Sequence, residues 1–127
     1  MIHLDTNLLV ELVTTGSPGG KAVREWLVAG RELGTSAIAW SEFCNGPLTR
    51  EQKDAAFAVL GENVAPFTWQ DAEEAARLFN LSGRRRGSHA DCMIAASAMA
   101  AGASLATRNS ADFSRLTACG LTMEVLE

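Results

Sequence analysis

Several of the residues that mark specialised chains are scarce here. The cysteines, Cys44, Cys92 and Cys119, are odd in number and widely separated, with no C-x-x-C pair. That leaves no disulfide framework and predicts reduced, partly buried thiols. The only histidines, His3 and His89, are too few and too far from the cysteines to build a zinc site. No G-x-x-x-x-G-K-[ST] loop is present to cradle a nucleotide, and no Ser-His-Asp or Cys-His arrangement points to covalent catalysis. No apolar run approaches the ~20 residues of a membrane span. Met1-Ile2-His3-Leu4 runs straight into Asp5 without the basic region and long apolar stretch of a secretory signal, so a cytoplasmic location is expected. A net charge of −4 argues against a simple basic nucleic-acid binder, although Arg84-Arg85-Arg86 is a local basic cluster and net charge alone does not settle the partner.

What the chain does contain is an ordered alternation of short apolar runs and helical patterns. Its 127 residues, 47% of them hydrophobic, suit one soluble domain covering residues 1–127. The strand candidates are Ile2–Asp5, Glu32–Ser36, Asn63–Phe67, Ser104–Thr107 and Thr122–Leu126. Between them, Thr49-x-x-Gln52, Thr68-x-x-Asp71 and Ser88-x-x-Asp91 have the form of a capping box or its acidic variant. Gly30, Gly61, Gly83 and Gly102 stand where helix C-terminal glycines belong. Val23, Trp26 and Leu27 mark one buried helix face, and Ala72, Ala75, Ala76 and Phe79 another. The Gly16–Gly20 stretch reads as a loop. Strand, helix, strand in repetition predicts an α/β fold with a mainly parallel five-stranded sheet covered on both faces.

In an open parallel sheet, residues just beyond the carboxyl ends of neighbouring strands line one crevice. Four acids stand at such places. Asp5 closes the first strand and reads equally as a helix N-cap or a cation ligand. Glu42 read alone is a solvated helix acid, but it shares a face with Ile38 that should pack toward the sheet, and there it would point inward, where an unpaired acid is costly. Asp91 could simply meet the dipole of its helix, an effect of ~0.3–1 kcal/mol. Its helix is nearly all apolar, however, so the first turn should lie deep. Asp112 falls in the loop-to-helix step after the fourth strand, where Asn109 is a candidate to orient a ligating carboxylate. Asp71 has the same local setting as Asp91 but is read as a cap. Acids gathered in one crevice repel one another, and a hard divalent cation held by oxygens is the natural remedy. Arg84, Arg85 and Arg86 read either as a solvated loop or as a phosphate clamp. Trp40 and Trp69 are expected to pack internally rather than stack on bases.

Taken together, Leu4-Asp5-Thr6-Asn7, Ser36 with Glu42-Phe43, His89-Ala90-Asp91-Cys92-Met93-Ile94-Ala95-Ala96, and Thr107-Arg108-Asn109 with Asp112-Phe113 resemble the PIN-domain nucleases, specifically the VapC-type toxins of toxin–antitoxin pairs. The resemblance spans nearly the whole chain. It implies a three-layer α/β/α sandwich, dependence on Mg²⁺ or Mn²⁺, cleavage of single-stranded RNA, a small cognate antitoxin and a homodimer. By position, Asp5, Glu42, Asp91 and Asp112 match the family's acidic quartet, with Asp5 and Asp91 as direct metal ligands. Thr107 and Asn109 then support the ligands, while Arg84, Arg85, Arg86 and Arg108 are candidate RNA contacts.

Two other functions compete. A phospho-aspartyl receiver or phosphatase also places an Asp after the first strand, but wants a lysine at the phosphoryl group. Lys21 and Lys53 lie in exposed, helix-like settings, Asn7 stands where such a phosphatase has its second Asp, and no Asp follows the third strand. A non-catalytic RNA- or protein-binding module of the same fold is the third reading, since fold does not fix function.

Overall fold

The computed structural model of the chain describes residues 1–126. In chain order its elements are β1 (Ile2–Leu4), α1 (Thr6–Leu12), α2 (Pro18–Val28), β2 (Leu33–Ser36), α3 (Ala37–Cys44), α4 (Arg50–Leu60), β3 (Val64–Ala65), α5 (Trp69–Leu81), α6 (His89–Ala100), β4 (Ser104–Ala106) and α7 (Ser110–Phe113), then a 3₁₀ segment at Ser114–Cys119. The sheet is parallel throughout, in the order β3-β2-β1-β4. β1 is its buried axis, with Ile2 opposite both Leu33 and Ser104. Ile2, Leu4, Leu8, Leu9 and Leu105 are wholly removed from solvent, each contributing about 1.5–3 kcal/mol. Gly34 is required where β2 meets β3, because a Cβ there would stand 2.9 Å from the Asn63 carbonyl oxygen.

Among the described residues the sheet has four strands rather than the expected five. Thr122–Leu126 meets β4 through a single parallel bridge, Leu105 with Met123. The Leu105 N–H donates to the Thr122 carbonyl and the Glu124 N–H to the Leu105 carbonyl, both at 2.8 Å. β4 is only three residues long and offers little edge to extend. Side chains fasten the segment instead: Glu124 accepts from Arg31 at 3.1 and 3.2 Å and from the Ser104 hydroxyl at 2.9 Å.

Helix ends follow local chemistry with two departures. The boxes at Thr49 and Thr68 are complete, Ser36 Oγ accepts from the Ala39 N–H, and the four predicted C-terminal glycines all have positive φ. Ser88 does not cap: its hydroxyl donates to the Arg85 carbonyl at 2.7 Å, so Asp91 is released from a reciprocal bond. The Gly16–Gly20 loop is shorter than expected. α2 starts at Pro18, capped by Ser17 Oγ, while Glu11 Oε1 accepts from the Gly19 N–H at 3.0 Å.

The buried helix faces are also turned slightly. Leu27 is exposed while Val23 is buried, and on α5 the buried residues are Asp71, Ala75 and Leu78, with Ala72 and Ala76 outside. Alanine is small enough to sit on either face, so its pattern located the stripe only to within one position. α6 is enclosed nearly all round: Cys92, Ile94, Ala95, Ala96, Ser97 and Ala98 are buried against α5, α3, β2 and β4. That burial sets the first turn of α6 beside the sheet's carboxyl edge.

Candidate metal centre

Asp5 is the fixed point of the crevice. Its backbone N–H donates to the Ala106 carbonyl at 2.9 Å, tying the end of β1 to the end of β4. Its carboxylate caps α1, with Oδ1 accepting from the Thr6 N–H at 2.7 Å. Oδ2 accepts from the Thr107 hydroxyl at 2.7 Å and from the Asn7 amide at 3.5 Å. The cap and the ligand readings therefore coincide in one side chain. A carboxylate has about four lone-pair sites, so these donors orient Asp5 without exhausting it. Thr107 is itself held by the Asn109 N–H, which donates to its Oγ1 at 3.0 Å. Asn109 thus acts here through its backbone, and makes no side-chain cap for α7.

Electrostatics bring the other acids into the same region. Burial pushes the Asp5 carboxyl upward; the Thr107 and Thr6 donors oppose this, and the charges of Glu42 and Asp112 add to it. The Asp91 carboxyl is raised to about 6, first by burial and then by the charges of Asp5, Asp112 and Glu42, with Arg115 opposing. Glu42 and Asp112 therefore act on both Asp5 and Asp91, and Asp5 acts on Asp91. Glu42 is not inward-facing as expected. It is exposed, two turns into α3, and accepts from the Thr6 hydroxyl at 2.7 Å. Asp112 is about half exposed, with Arg85 Nη1 3.9 Å from its Oδ1, too open and distant for a strong pair.

Among the described residues, no three carboxylate, imidazole or thiolate groups stand close enough to form a ready-made metal cage. The donor set nonetheless suits Mg²⁺ or Mn²⁺. Mg²⁺ keeps several waters and is commonly held by one or two carboxylates together with substrate phosphate. Asp5 and Asp91, two hard oxygen donors destabilised by burial and by neighbouring acids, meet that need.

The basic residues separate. Arg84 lies over the Phe79 ring, 5.3 Å from its centroid, and contacts Asn80. Arg108 is engaged by Glu11, through Nε at 2.7 Å and Nη2 at 2.9 Å. Arg85 and Arg86 line a cleft of about 120 Å³ with Gly87, Ser88, Asp91, Asp112 and Arg115. A larger depression of about 420 Å³ lies beside Thr107, Arg108 and Met123 and includes none of the four acids. Trp40 packs against Phe43 and Phe57, whereas Trp69 is 69% exposed at the start of α5, against expectation. Lys21 and Lys53 are exposed. Sequence reasoning missed Thr6 and Arg115. Thr6 directly follows the cap, and Arg115 stands three residues after Asp112; that spacing was the available signal.

A sequence model of the family described as PIN domain matches residues 2–118. No curated protein matches the chain in sequence. Among solved structures, FitAcB from Neisseria gonorrhoeae is similar with a TM-score of 0.73 at 21% identity, covering 98% of this chain and 97% of that one. A toxin-antitoxin complex from Klebsiella pneumoniae gives a TM-score of 0.71 at 24% identity, over 89% and 90% of the two chains. VapBC-1 from nontypeable Haemophilus influenzae gives 0.66 at 27% identity, over 98% and 97%.

Proposed function

The chain belongs to the PIN-domain family, and we propose that it is a Mg²⁺- or Mn²⁺-dependent endoribonuclease acting as the toxin of a toxin–antitoxin pair. The reaction is hydrolysis of an RNA phosphodiester by activated water, leaving 5′-phosphate and 3′-hydroxyl ends. The observation that carries this reading is that Asp5 and Asp91 are both raised, first by burial and then by the charges of Glu42 and Asp112, with Asp5 acting on Asp91 as well. Carboxylates that are costly to ionise together are relieved by a hard cation.

Asp5 and Asp91 would hold that cation. When bound, it supplies Lewis acidity, making water a better nucleophile and neutralising charge on the phosphate. Asp5 is kept in one orientation by Thr6 and Thr107. Glu42, exposed and steadied by the Thr6 hydroxyl, and Asp112, at the cleft wall, are available to orient water or accept its proton.

The likeness to a toxin-antitoxin complex supports a small cognate antitoxin as partner. A homodimer in the cytoplasm completes the reading. Among the described residues no helix is long and apolar enough to cross a membrane.

The test is cleavage of a short single-stranded RNA in Mn²⁺ and in excess EDTA. Cleavage should require the cation and be lost in Asp5→Asn and Asp91→Asn. Undiminished cutting by both variants would remove the proposed centre.

A further inference from the structure

We propose that Arg115, together with Arg85 and Arg86, seats an RNA phosphate adjacent to the scissile one. This inference rests on the nuclease reading above and adds a substrate-binding residue to it.

The three arginines share one small cleft with Asp91 and Asp112. Arg85 and Arg86 come from the exposed loop before α6, and Arg115 from the 3₁₀ segment after α7. Arg115 is the informative one. Its Nε and Nη2 are buried and have no hydrogen-bond partner, and it forms no ion pair among the described residues. Buried guanidinium donors without acceptors are costly. An acceptor that enters the cleft would satisfy them, and a phosphate matches the guanidinium fork with two parallel bonds.

Charge selects the same occupant. The cleft carries three arginines and two aspartates. Once Asp91 is committed to a cation, the remaining wall is basic and calls for an anion. The cleft shares Asp91 and Asp112 with the proposed metal centre and excludes Asp5 and Glu42, a position to one side of the centre that suits a neighbouring phosphate on the same strand. Arg84 is excluded from the seat by its contacts with Phe79 and Asn80.

The experiment uses the Asp5→Asn protein, so that RNA stays intact, and measures binding of a fluorescein-labelled single-stranded RNA by anisotropy across a salt series. Adding Arg115→Gln should weaken binding about tenfold and lower the slope of log K against log salt by about one. Adding Arg84→Gln should change neither. Unchanged affinity and slope with Arg115→Gln would overturn the proposal, as would weaker binding at an unchanged slope, which marks a structural role. Absence of RNA binding by the Asp5→Asn protein would overturn it too. Cleavage by the parent in Mn²⁺ is scored separately, so the nuclease reading can survive this failure. If Arg115→Gln does not fold, Arg85→Gln with Arg86→Gln on the exposed loop takes its place: the slope should fall by at least one, and an unchanged slope refutes the seat.

Discussion

Asp91→Asn should make the protein more stable in EDTA while destroying its response to metal. The Asp91 carboxyl is raised from 3.8 to about 6, a shift worth about 3 kcal/mol at ~1.4 kcal/mol per unit. The side chain is only partly buried, and solvent screening reduces this to roughly 1–2 kcal/mol. Between the two values the folded chain holds a proton that the unfolded chain releases. The group's contribution to stability therefore falls as pH rises through that window, and the whole penalty is in force above about 6. Asparagine keeps the shape and removes the charge. Near neutral pH in EDTA the variant should melt about 4–8 °C above the parent. The gap should narrow as pH falls from about 6 and close below ~3.5, where Asp91 is largely protonated in both states.

A second group makes the test sharper. His3 is buried in β1, and burial, with the nearby amino terminus, lowers it from 6.5 to about 4. The sign is opposite to that of Asp91: the unfolded chain binds the extra proton, so stability from His3 is lost as pH falls from 6.5 toward 4. In the parent the two effects offset each other across nearly the same window. Asp91→Asn should expose the histidine limb as a steeper loss on acidification. Saturating Mn²⁺ should invert the order of stability, since at about a hundred times its Kd a ligand adds ~2.7 kcal/mol to the parent and little to the variant. Thermal melts across pH, with and without Mn²⁺, read all three outcomes. A variant no more stable than the parent at neutral pH in EDTA, or a gap that persists undiminished below pH ~3.5, would refute the account of Asp91.

Three further outcomes are expected. Asp71→Asn should retain cleavage and lose about 1 kcal/mol or less by chemical denaturation, since Asp71 closes a capping box through the Thr68 N–H; lost cleavage in a folded variant would show the acids wrongly sorted. Thr107→Val should lower cleavage and cost about 1–3 kcal/mol, because it strips a 2.7 Å hydrogen bond from buried Asp5, and a fully active variant would contradict that support. His89→Ala should keep substantial activity with 5′-phosphate ends, because water rather than the RNA 2′-hydroxyl is the proposed nucleophile; 2′,3′-cyclic phosphate ends would sink that chemistry.

The parts of the fold that were legible are those decided by short-range chemistry. Thr49, Thr68 and Ser36 cap helices where their sequence says so, because each needs only an amide two or three residues on. The parallel α/β order followed from alternation alone. What misled was decided at longer range. Thr122–Leu126 has strand composition but meets a strand of three residues, so pairing stops at one bridge. Trp69 occupies the first position of α5, and its large ring points the local pattern inward although the helix leaves it outside. Glu42 was placed correctly along the chain and wrongly in depth, since four-residue spacing fixes a face and not its distance from solvent. Arg115 gives no sign in the sequence beyond its spacing from Asp112, because its unpaired nitrogens are a property of burial.

The contrast between Asp71 and Asp91 shows how the proposed site departs from local rules. Both follow a Thr or Ser by three positions and both open a helix. At Asp71 the reciprocal bonds form, and the carboxylate is spent on the Thr68 N–H. At Asp91 the serine turns to Arg85, the cap is given up, and the carboxylate lies in the cleft at a raised pKa. Giving up a cap costs roughly 0.5–2 kcal/mol, and the repulsion among the acids adds to that cost. Buried apolar helix faces compensate elsewhere in the chain. Consistency between local preference and global fold is expected everywhere except where function opposes it. The one acidic capping pattern that fails to close lies at the centre proposed to bind metal, and Asp5, held by three donors, supplies the rigid half against which Asp91 is free to adjust.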